Sequence, residues 1–208
     1  MRYPAYGKVS IISDGAVLEG LYQQNTGQRG AVITHPHPLY GGDMYNDVVE
    51  AIAEAYRENG RSTLTFNFRG VGMSQGDFDN GIGEQEDVRA AVDYMMDQGM
   101  KTVDLAGYSF GAWVNSQAIQ KQLPVNRMVM VSPPVGAIDS GDVSPIESLY
   151  LVITGSMDNI APAGSIEKVL SLWNPEAHLE IIEGADHFYA GHTGQLRSII
   201  DGYLKDWG

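Results

Sequence analysis

The pentapeptide GYSFG, residues 107–111, places a serine between two glycines near the middle of the chain. It follows the apolar run VDLA and precedes a helical segment, so it lies at a predicted strand-to-helix turn. Glycines on both sides let neighbouring backbone segments pass close to a strained central residue. The N-terminus of the following helix offers free N–H groups and a positive dipole end to a developing oxyanion. This context favours Ser109 as a nucleophile over a plain glycine-rich turn.

Two further polar residues follow predicted strands later in the chain. Asp158 lies in VITGSMDNIAP, and His187 lies in IIEGADHFY. Taken alone, the first is typical of an Asx-turn or a helix cap, and the second of a solvated loop histidine. However, ligand sites of parallel sheets lie at the carboxyl ends of strands, and the chain order is serine, acid, histidine. The three residues together therefore predict a catalytic triad.

The stretch THPHPLYGGDMYND contains His35 and His37, a spacing that occurs in metal sites. A zinc ion needs further ligands, and the chain has no cysteine and only three other histidines, at positions 178, 187 and 192. His187 is better explained by the triad, and His178 opens a predicted strand. We therefore expect no metal site at this loop.

The same loop is a candidate for the second half of an oxyanion hole. The N–H of Phe110, directly after the predicted nucleophile, is the first donor, and a loop after an earlier strand must supply the other. Proline has no N–H. The available donors of the loop are therefore His37, then Leu39 or Tyr40.

A glycine-rich stretch, FNFRGVGMSQGDFDNGIGEQED, resembles a dinucleotide-binding loop at first sight. Its third glycine, Gly76, comes one position too late for the G-x-G-x-x-G pattern, and no helix begins inside it. We expect a structural loop in which Arg69 binds nearby carbonyl groups, and no cofactor.

The elements that position these residues alternate along the chain. KVSIIS and AVLEGLYQ, around Asp14-Gly15, predict an antiparallel hairpin. From GAVITHP onward, β-branched strands alternate with helical segments, and only residues 134–148 lack a convincing helix between two strands. This order predicts an α/β fold, with a mostly parallel sheet of eight strands and helices on both faces.

Composition restricts the classes of protein and partner. The chain of 208 residues fits a single domain over residues 1–208, and 43% of its residues are hydrophobic. It has no cysteine, hence neither disulfides nor a cysteine nucleophile. A net charge of −13 without a basic cluster disfavours nucleic acids and anionic membranes as partners. Neither a spanning segment nor a secretory signal is apparent, so we expect a cytoplasmic protein.

The motifs HPHPLYGG, FNFRGVGMSQGDFDNGIGE, GYSFG and GADHF resemble those of the α/β-hydrolase superfamily, closest to small bacterial dienelactone-hydrolase-like and uncharacterised hydrolases. The resemblance runs from about Lys8 to the C-terminus. It implies Ser109 as nucleophile, His187 as general base and acid, and Asp158 as the residue that orients His187. It assigns the second oxyanion donor to His37, although the proline in place of the family's glycine leaves Leu39 as an alternative.

Two departures from the family pattern make some activities of related enzymes doubtful for this chain. True dienelactone hydrolases use a cysteine nucleophile, which this chain lacks, and related dehalogenases and epoxide hydrolases use an aspartate where Ser109 stands. Many relatives also insert a helical cap after the sixth strand, whereas only Gly136–Ser148 is available here, so we expect no cap domain.

Without a cap, loops at the strand ends must form the substrate site, and we expect a shallow groove. The candidate residues for this groove are Tyr40, Met73, Tyr108, Met157 and Phe188.

The sequence therefore predicts a serine hydrolase that acts on small, uncharged carboxylic esters without a cofactor, as a monomer or homodimer. The same triad serves peptidases, amidases and thioesterases, and fold and triad do not choose among them. A non-catalytic binding protein with this fold is the alternative from another class.

Overall fold

Short β-branched segments alternate with amphipathic ones, and the computed structural model shows them as strands and helices in the predicted order. It describes residues 6–135 and 144–205. The strands are β1 (Tyr6–Ser13), β2 (Ala16–Gln23), β3 (Arg29–Thr34), β4 (Ser62–Phe66), β5 (Thr102–Tyr108), β6 (Met128–Val131), β7 (Leu149–Gly155) and β8 (His178–Ile182). The helices are α1 (Asp47–Glu58), α2 (Gly83–Asp97), α3 (Phe110–Gln120), α4 (Ala163–Trp173) and α5 (Thr193–Lys205).

Local sequence signals account for the ends of several elements. Asn46 caps α1, because its side chain accepts the N–H of Val48 at 2.9 Å. Gly60 and Gly99 follow α1 and α2 with φ angles of 73° and 89°, a backbone conformation that favours glycine. Both glycines stand where the sequence predicts that these helices stop.

Within the described residues, one sheet contains eight strands in the order β1-β2-β4-β3-β5-β6-β7-β8. β1 and β2 pair antiparallel around the predicted turn at Asp14 and Gly15, and β2 pairs antiparallel with β4. The pairs from β4 through β3 to β8 are all parallel. The mostly parallel sheet with an antiparallel hairpin is thus confirmed.

Helices cover both faces of this sheet. On one face, α1 and α5 pack their apolar residues against alternate side chains of β3 and β5–β8. On the other face, α2 and α3 pack against β2, β4 and β5, and α4 packs against β6 and β7. The inner parallel strands, β3 to β7, are buried on both sides, whereas β8 at the edge of the sheet is only partly buried.

The connection between β6 and β7 is the place where relatives carry a cap. Its described parts, residues 132–135 and 144–148, contain no helix, and the rest of the predicted Gly136–Ser148 loop, residues 136–143, lies outside the described residues. All the parallel strands point their carboxyl ends to one edge, so the loops after β3, β5, β6, β7 and β8 meet there. No described helix is long and apolar enough to cross a membrane.

Candidate active site

Ser109 lies at the sharp turn between β5 and α3. Its φ and ψ angles are 53° and −119°, which is a strained conformation for a residue with a side chain. The turn also needs its glycines. A Cβ on Gly107 would lie 2.6 Å from the N atom of Ala112, and one on Gly111 would lie 2.6 Å from the carbonyl oxygen of His35. The geometry thus holds the Ser109 side chain outward at the carboxyl edge of the sheet.

The structure brings the three predicted triad residues together. The Oγ of Ser109 lies 2.9 Å from Nε2 of His187, and Nδ1 of the same ring lies 2.8 Å from Oδ2 of Asp158. Ser109, His187 and Asp158 follow β5, β8 and β7, and all three side chains are buried. A serine, an imidazole and a carboxylate in this series are suited to pass a proton from the hydroxyl to the imidazole.

The carboxylate of Asp158 accepts four hydrogen bonds. Its Oδ1 accepts the N–H groups of Ile160 and Ala161 at 2.8 and 2.7 Å. Its Oδ2 accepts from Ser132 Oγ at 2.7 Å as well as from His187. Burial alone would raise the pKa of Asp158, but these hydrogen bonds outweigh it and hold the pKa below its ordinary value. The acid therefore stays ionised beside the imidazole.

Two residues that the sequence analysis missed extend this network. The hydroxyl of Ser132 has one proton, which it donates to Asp158, so the Tyr189 hydroxyl, 2.8 Å away, donates to Ser132. Both residues have positive φ angles, 45° for Ser132 and 56° for Tyr189. Ser132 directly follows β6. The strand-end rule that singled out Asp158 and His187 would therefore have found it too.

The loop after β3 folds back on itself through His37. Its Nδ1 accepts the N–H of Leu39 at 3.2 Å, and its carbonyl oxygen accepts the N–H of Tyr40 at 3.1 Å. Burial lowers the pKa of His37 against a raising effect of Glu84, so the ring stays neutral and can accept. Two of the three predicted donors of this loop are therefore already engaged inside the loop.

The backbone N–H groups of His37 and Phe110, unlike those of Leu39 and Tyr40, are not engaged in the loop. Within the described residues, the structure gives neither of them a hydrogen-bond partner. Their rings are in contact, with centroids 4.8 Å apart, and both residues line the cavity that contains Ser109. The site thus has two unpaired backbone donors in the residues that the sequence favours for an oxyanion hole.

His35 binds backbone groups through both of its ring nitrogens. Its Nε2 accepts the N–H of Phe68 at 3.0 Å, and its Nδ1 donates to the carbonyl of Pro36 at 2.7 Å. Burial lowers its pKa to about 4. Both ring nitrogens are thus occupied by the backbone. Within residues 6–135 and 144–205, no cluster of three His, Cys, Asp or Glu residues could hold a metal ion.

A cavity of about 920 Å³ opens above Ser109. Tyr40, Tyr108 and Phe188 line it, as the sequence predicts, whereas Met73 and Met157 do not. The remaining described lining residues are Pro36, His37, Gly41, Gly42, Asn46, Phe78, Asn80, Ser109, Phe110, Trp113, Gln117, Pro134, Ile160 and His187. This volume exceeds that of the shallow groove we expected, because residues of α3 and of the loop after β4 build a further wall.

The two methionines face solvent because their backbones are held elsewhere. The N–H of Met73 donates to Glu19 on β2 at 2.6 Å, which ties this part of the loop away from Ser109, and the Met73 side chain is 81% exposed. The N–H of Met157 donates to the carbonyl of Ala185 at 2.9 Å, and its side chain is 62% exposed. Position in a motif loop did not determine the direction of either side chain.

Arg69 and Glu84 fix the loop between β4 and α2. The guanidinium of Arg69 binds the buried carboxylate of Asp87, with one N–O distance of 2.8 Å, so the expected contact with carbonyl groups is wrong. A carboxylate is the stronger partner for a guanidinium, and α2 presents one at the right place. Glu84 accepts the N–H groups of Asp79 and Gly81, each at 2.8 Å.

Comparisons with known proteins show which family shares this fold. No family model matches the chain. An uncharacterized protein of Rickettsia prowazekii is 36% identical in an alignment of 199 positions that covers 90% of this chain and 84% of that protein. An α/β serine hydrolase homologue from Coxiella burnetii is 32% identical, with a TM-score of 0.88 over 95% of this chain and 97% of that one. A serine hydrolase without a lid from Xanthomonas campestris is 31% identical, with a TM-score of 0.88 over 97% and 94%.

These solved structures share the fold over nearly the full length of both chains, at more than 30% identity. The Xanthomonas protein lacks a lid, and the described parts of the β6–β7 connection in this chain contain no helix. The chain belongs to the α/β serine hydrolases.

Proposed function

We propose that this hydrolase cleaves small, uncharged carboxylic esters by transfer of the acyl group to Ser109 and then to water. The observation that carries the proposal is the unbroken hydrogen-bonded series from Ser109 through His187 to Asp158, which opens into the cavity. Besides the ester and water, each step uses only side chains and backbone N–H groups of this chain.

In the first step, Ser109 Oγ attacks the ester carbonyl while its proton moves to Nε2 of His187. The carbonyl oxygen becomes an oxyanion, which the free N–H groups of Phe110 and His37 stabilise. Asp158 keeps the Nδ1 proton of the imidazole in place and stabilises the imidazolium that forms. When the intermediate collapses, His187 protonates the leaving alkoxide, and the acyl group stays on Ser109.

In the second step, water replaces the alcohol. His187, now neutral, takes a proton from water, and the resulting hydroxide adds to the acyl carbonyl in the same oxyanion hole. Collapse returns the proton from the imidazole to Ser109 and releases the acid. Both steps require His187 in its neutral form, because only the neutral ring accepts a proton from the hydroxyl or from water.

The described lining supports an uncharged substrate. None of these lining residues is Asp, Glu, Lys or Arg, although the chain has a net charge of −13. An aminopeptidase needs a carboxylate to bind the free amine of its substrate, and a site for anionic substrates needs a cation. This lining offers neither, and it therefore favours an uncharged substrate.

A hydrolysis screen tests this function. The purified protein is assayed with matched esters, thioesters and amides, and Ser109→Ala is the control. We expect turnover of neutral esters that falls by at least about 10³-fold in the control, with little change in melting temperature. Hydrolysis of thioesters or amides but not of esters would move the activity to another class with the same triad.

A fluorophosphonate probe separates an enzyme from a silent binding protein. The probe should label the wild-type protein at Ser109 and leave Ser109→Ala unlabelled. An unlabelled wild-type protein that is folded would support the non-catalytic alternative.

A further inference from the structure

Four aromatic rings form one side of the cavity, next to the two free N–H groups. We call His37, Phe78, Phe110 and Trp113 the aromatic wall. The His37 ring lies 5.2 Å from that of Phe78 and 4.8 Å from that of Phe110, between centroids, and Phe110 lies 5.6 Å from Trp113. His37 and Phe110 thus belong both to this wall and to the candidate oxyanion hole. A group bound against the wall lies close to the reacting carbonyl.

The wall is fixed before any ligand binds. A Cβ on Gly81 would lie 2.2 Å from the Trp113 ring, so the backbone of the loop after β4 rests directly on the indole. Glu84, which is fully buried, holds this segment through the N–H groups of Asp79 and Gly81. Phe78 stands at the start of the segment. Its ring therefore needs little reordering to receive a ligand.

The polar groups at this end of the cavity are neutral amides. Asn80 and Gln117 line it, and their side chains make no hydrogen bond within the described residues. Asn80 has a φ angle of 53°, which is uncommon outside glycine. Flat rings with uncharged donors and acceptors beside them match a flat, uncharged group better than a flexible alkyl chain.

We propose that the aromatic wall binds an aromatic ring of the substrate, so that the preferred esters carry a ring within one or two atoms of the carbonyl group. The rings of the wall meet at interplanar angles of 43° to 51°, which leaves faces and edges for tilted contacts with a further ring. Such contacts favour an aromatic ring over a saturated ring of similar size. The kinetic form of this inference rests on the proposed ester hydrolysis.

The test compares esters that differ only in ring saturation. Methyl phenylacetate against methyl cyclohexylacetate places the ring in the acyl group. Benzyl acetate against cyclohexylmethyl acetate places it in the alcohol. We expect kcat/KM, corrected for the rate of alkaline hydrolysis, to favour the aromatic ester about tenfold in one pair. The pair that shows the preference identifies which part of the ester the wall binds.

Substitutions in the aromatic wall are the second part of the test. In Phe78→Leu and Trp113→Leu, the ratio between the two esters of a pair should fall toward one. Tyr45→Leu is the matched control, because Tyr45 is an exposed aromatic residue outside the cavity lining, and its ratio should not change. Equal kcat/KM for both esters in both pairs of the wild-type protein would overturn the inference. So would a preference that persists in both folded wall variants.

A binding measurement separates this inference from the proposed function. Calorimetric titration of Ser109→Ala with methyl phenylacetate and methyl cyclohexylacetate requires no catalysis. Tighter binding of the aromatic ester without any wild-type turnover would support ring binding by the aromatic wall and reject the proposed ester hydrolysis. Wild-type turnover without discrimination, in kinetics and in binding, would retain the esterase and reject the wall.

Discussion

Two loops at the carboxyl edge of the sheet each contain a buried histidine with both ring nitrogens hydrogen-bonded. In the loop after β3, His35 bonds to the backbone at Phe68 and Pro36. In the loop after β8, His187 bonds to the side chains of Ser109 and Asp158. The rings are the same and their burial is similar, but the partners differ.

The difference shows what makes a buried histidine reactive. A backbone N–H has no second protonation state near neutral pH, so His35 can only hold two segments of chain together, and burial keeps it neutral. A hydroxyl can give up its proton to an imidazole, and a nearby carboxylate stabilises the charge that results. The hydrogen-bond partners of a buried histidine therefore determine whether it has a structural or a catalytic role.

The largest loss of turnover should come from a substitution of His187. His187→Ala removes the group that accepts the Ser109 proton, and in serine proteases such a change lowers turnover by about 10⁶-fold. The measurement is kcat for the best ester of the screen, with the melting temperature as a check of folding. Retention of more than a hundredth of the wild-type kcat would show that another group is the base.

Asp158→Asn should come next. The amide cannot stabilise the imidazolium or hold the tautomer that His187 needs, and the corresponding loss in serine proteases is about 10⁴-fold. We expect this loss in kcat with little change in KM, measured in steady-state assays. A variant with wild-type kinetics would move the acid to another residue. Asp186 is the nearest in sequence, although its Oδ1 already accepts the N–H of Phe188 at 3.0 Å.

Ser132→Ala should have a smaller effect, about tenfold in kcat. The change removes one of four hydrogen bonds to Asp158, which lets the pKa of that carboxyl rise and loosens its orientation. KM should stay near the wild-type value. Tyr189→Phe is the companion variant, because it removes the hydroxyl that bonds to Ser132 and to the carbonyl of Ile153 but leaves Ser132 bonded to Asp158, and its loss should be smaller still. Equal losses from both changes, with a lower melting temperature, would indicate packing instead.

His35→Leu should have the smallest effect on turnover and act on stability. The folded protein holds the pKa of His35 at about 4, below its ordinary value of 6.5, so the unfolded chain binds the proton more readily between these pH values. The His35 contribution to the free energy of unfolding is therefore full above pH 6.5 and falls by about 3 kcal/mol as the pH drops to 4.

Urea unfolding at several pH values measures this effect. The variant should be less stable near pH 7 by about 1–3 kcal/mol, because the N–H of Phe68 loses its acceptor. Its disadvantage should shrink as the pH falls from 6.5 to 4. His192→Leu is the control, because that histidine is only partly buried. A constant difference between wild type and variant across this range would contradict the account of His35.

The sequence predicts the order of strands and helices along the chain, and the residues of the triad, more accurately than the lining of the cavity. Apolar runs and glycine stops define the elements, and because strand ends converge on one edge, Ser109, Asp158 and His187 had to lie near each other. The direction of a side chain in a loop depends on long-range contacts, such as that from Met73 to Glu19. For this reason the sequence misplaced two methionines, missed Phe78 and Trp113, and gave Arg69 the wrong partner.

The anchored loop between β4 and α2 gives this scaffold a property of interest for protein engineering. Arg69 and Glu84 hold its two ends against α2, Ser74 bonds to β2 between them, and Phe78 and Asn80 of the same loop line the cavity. All three triad residues are encoded downstream, after β5, β7 and β8. A library confined to Phe78 and Asn80, the two residues of this loop that line the cavity, would thus sample new substrate selectivities while the codons for the reaction chemistry stay untouched.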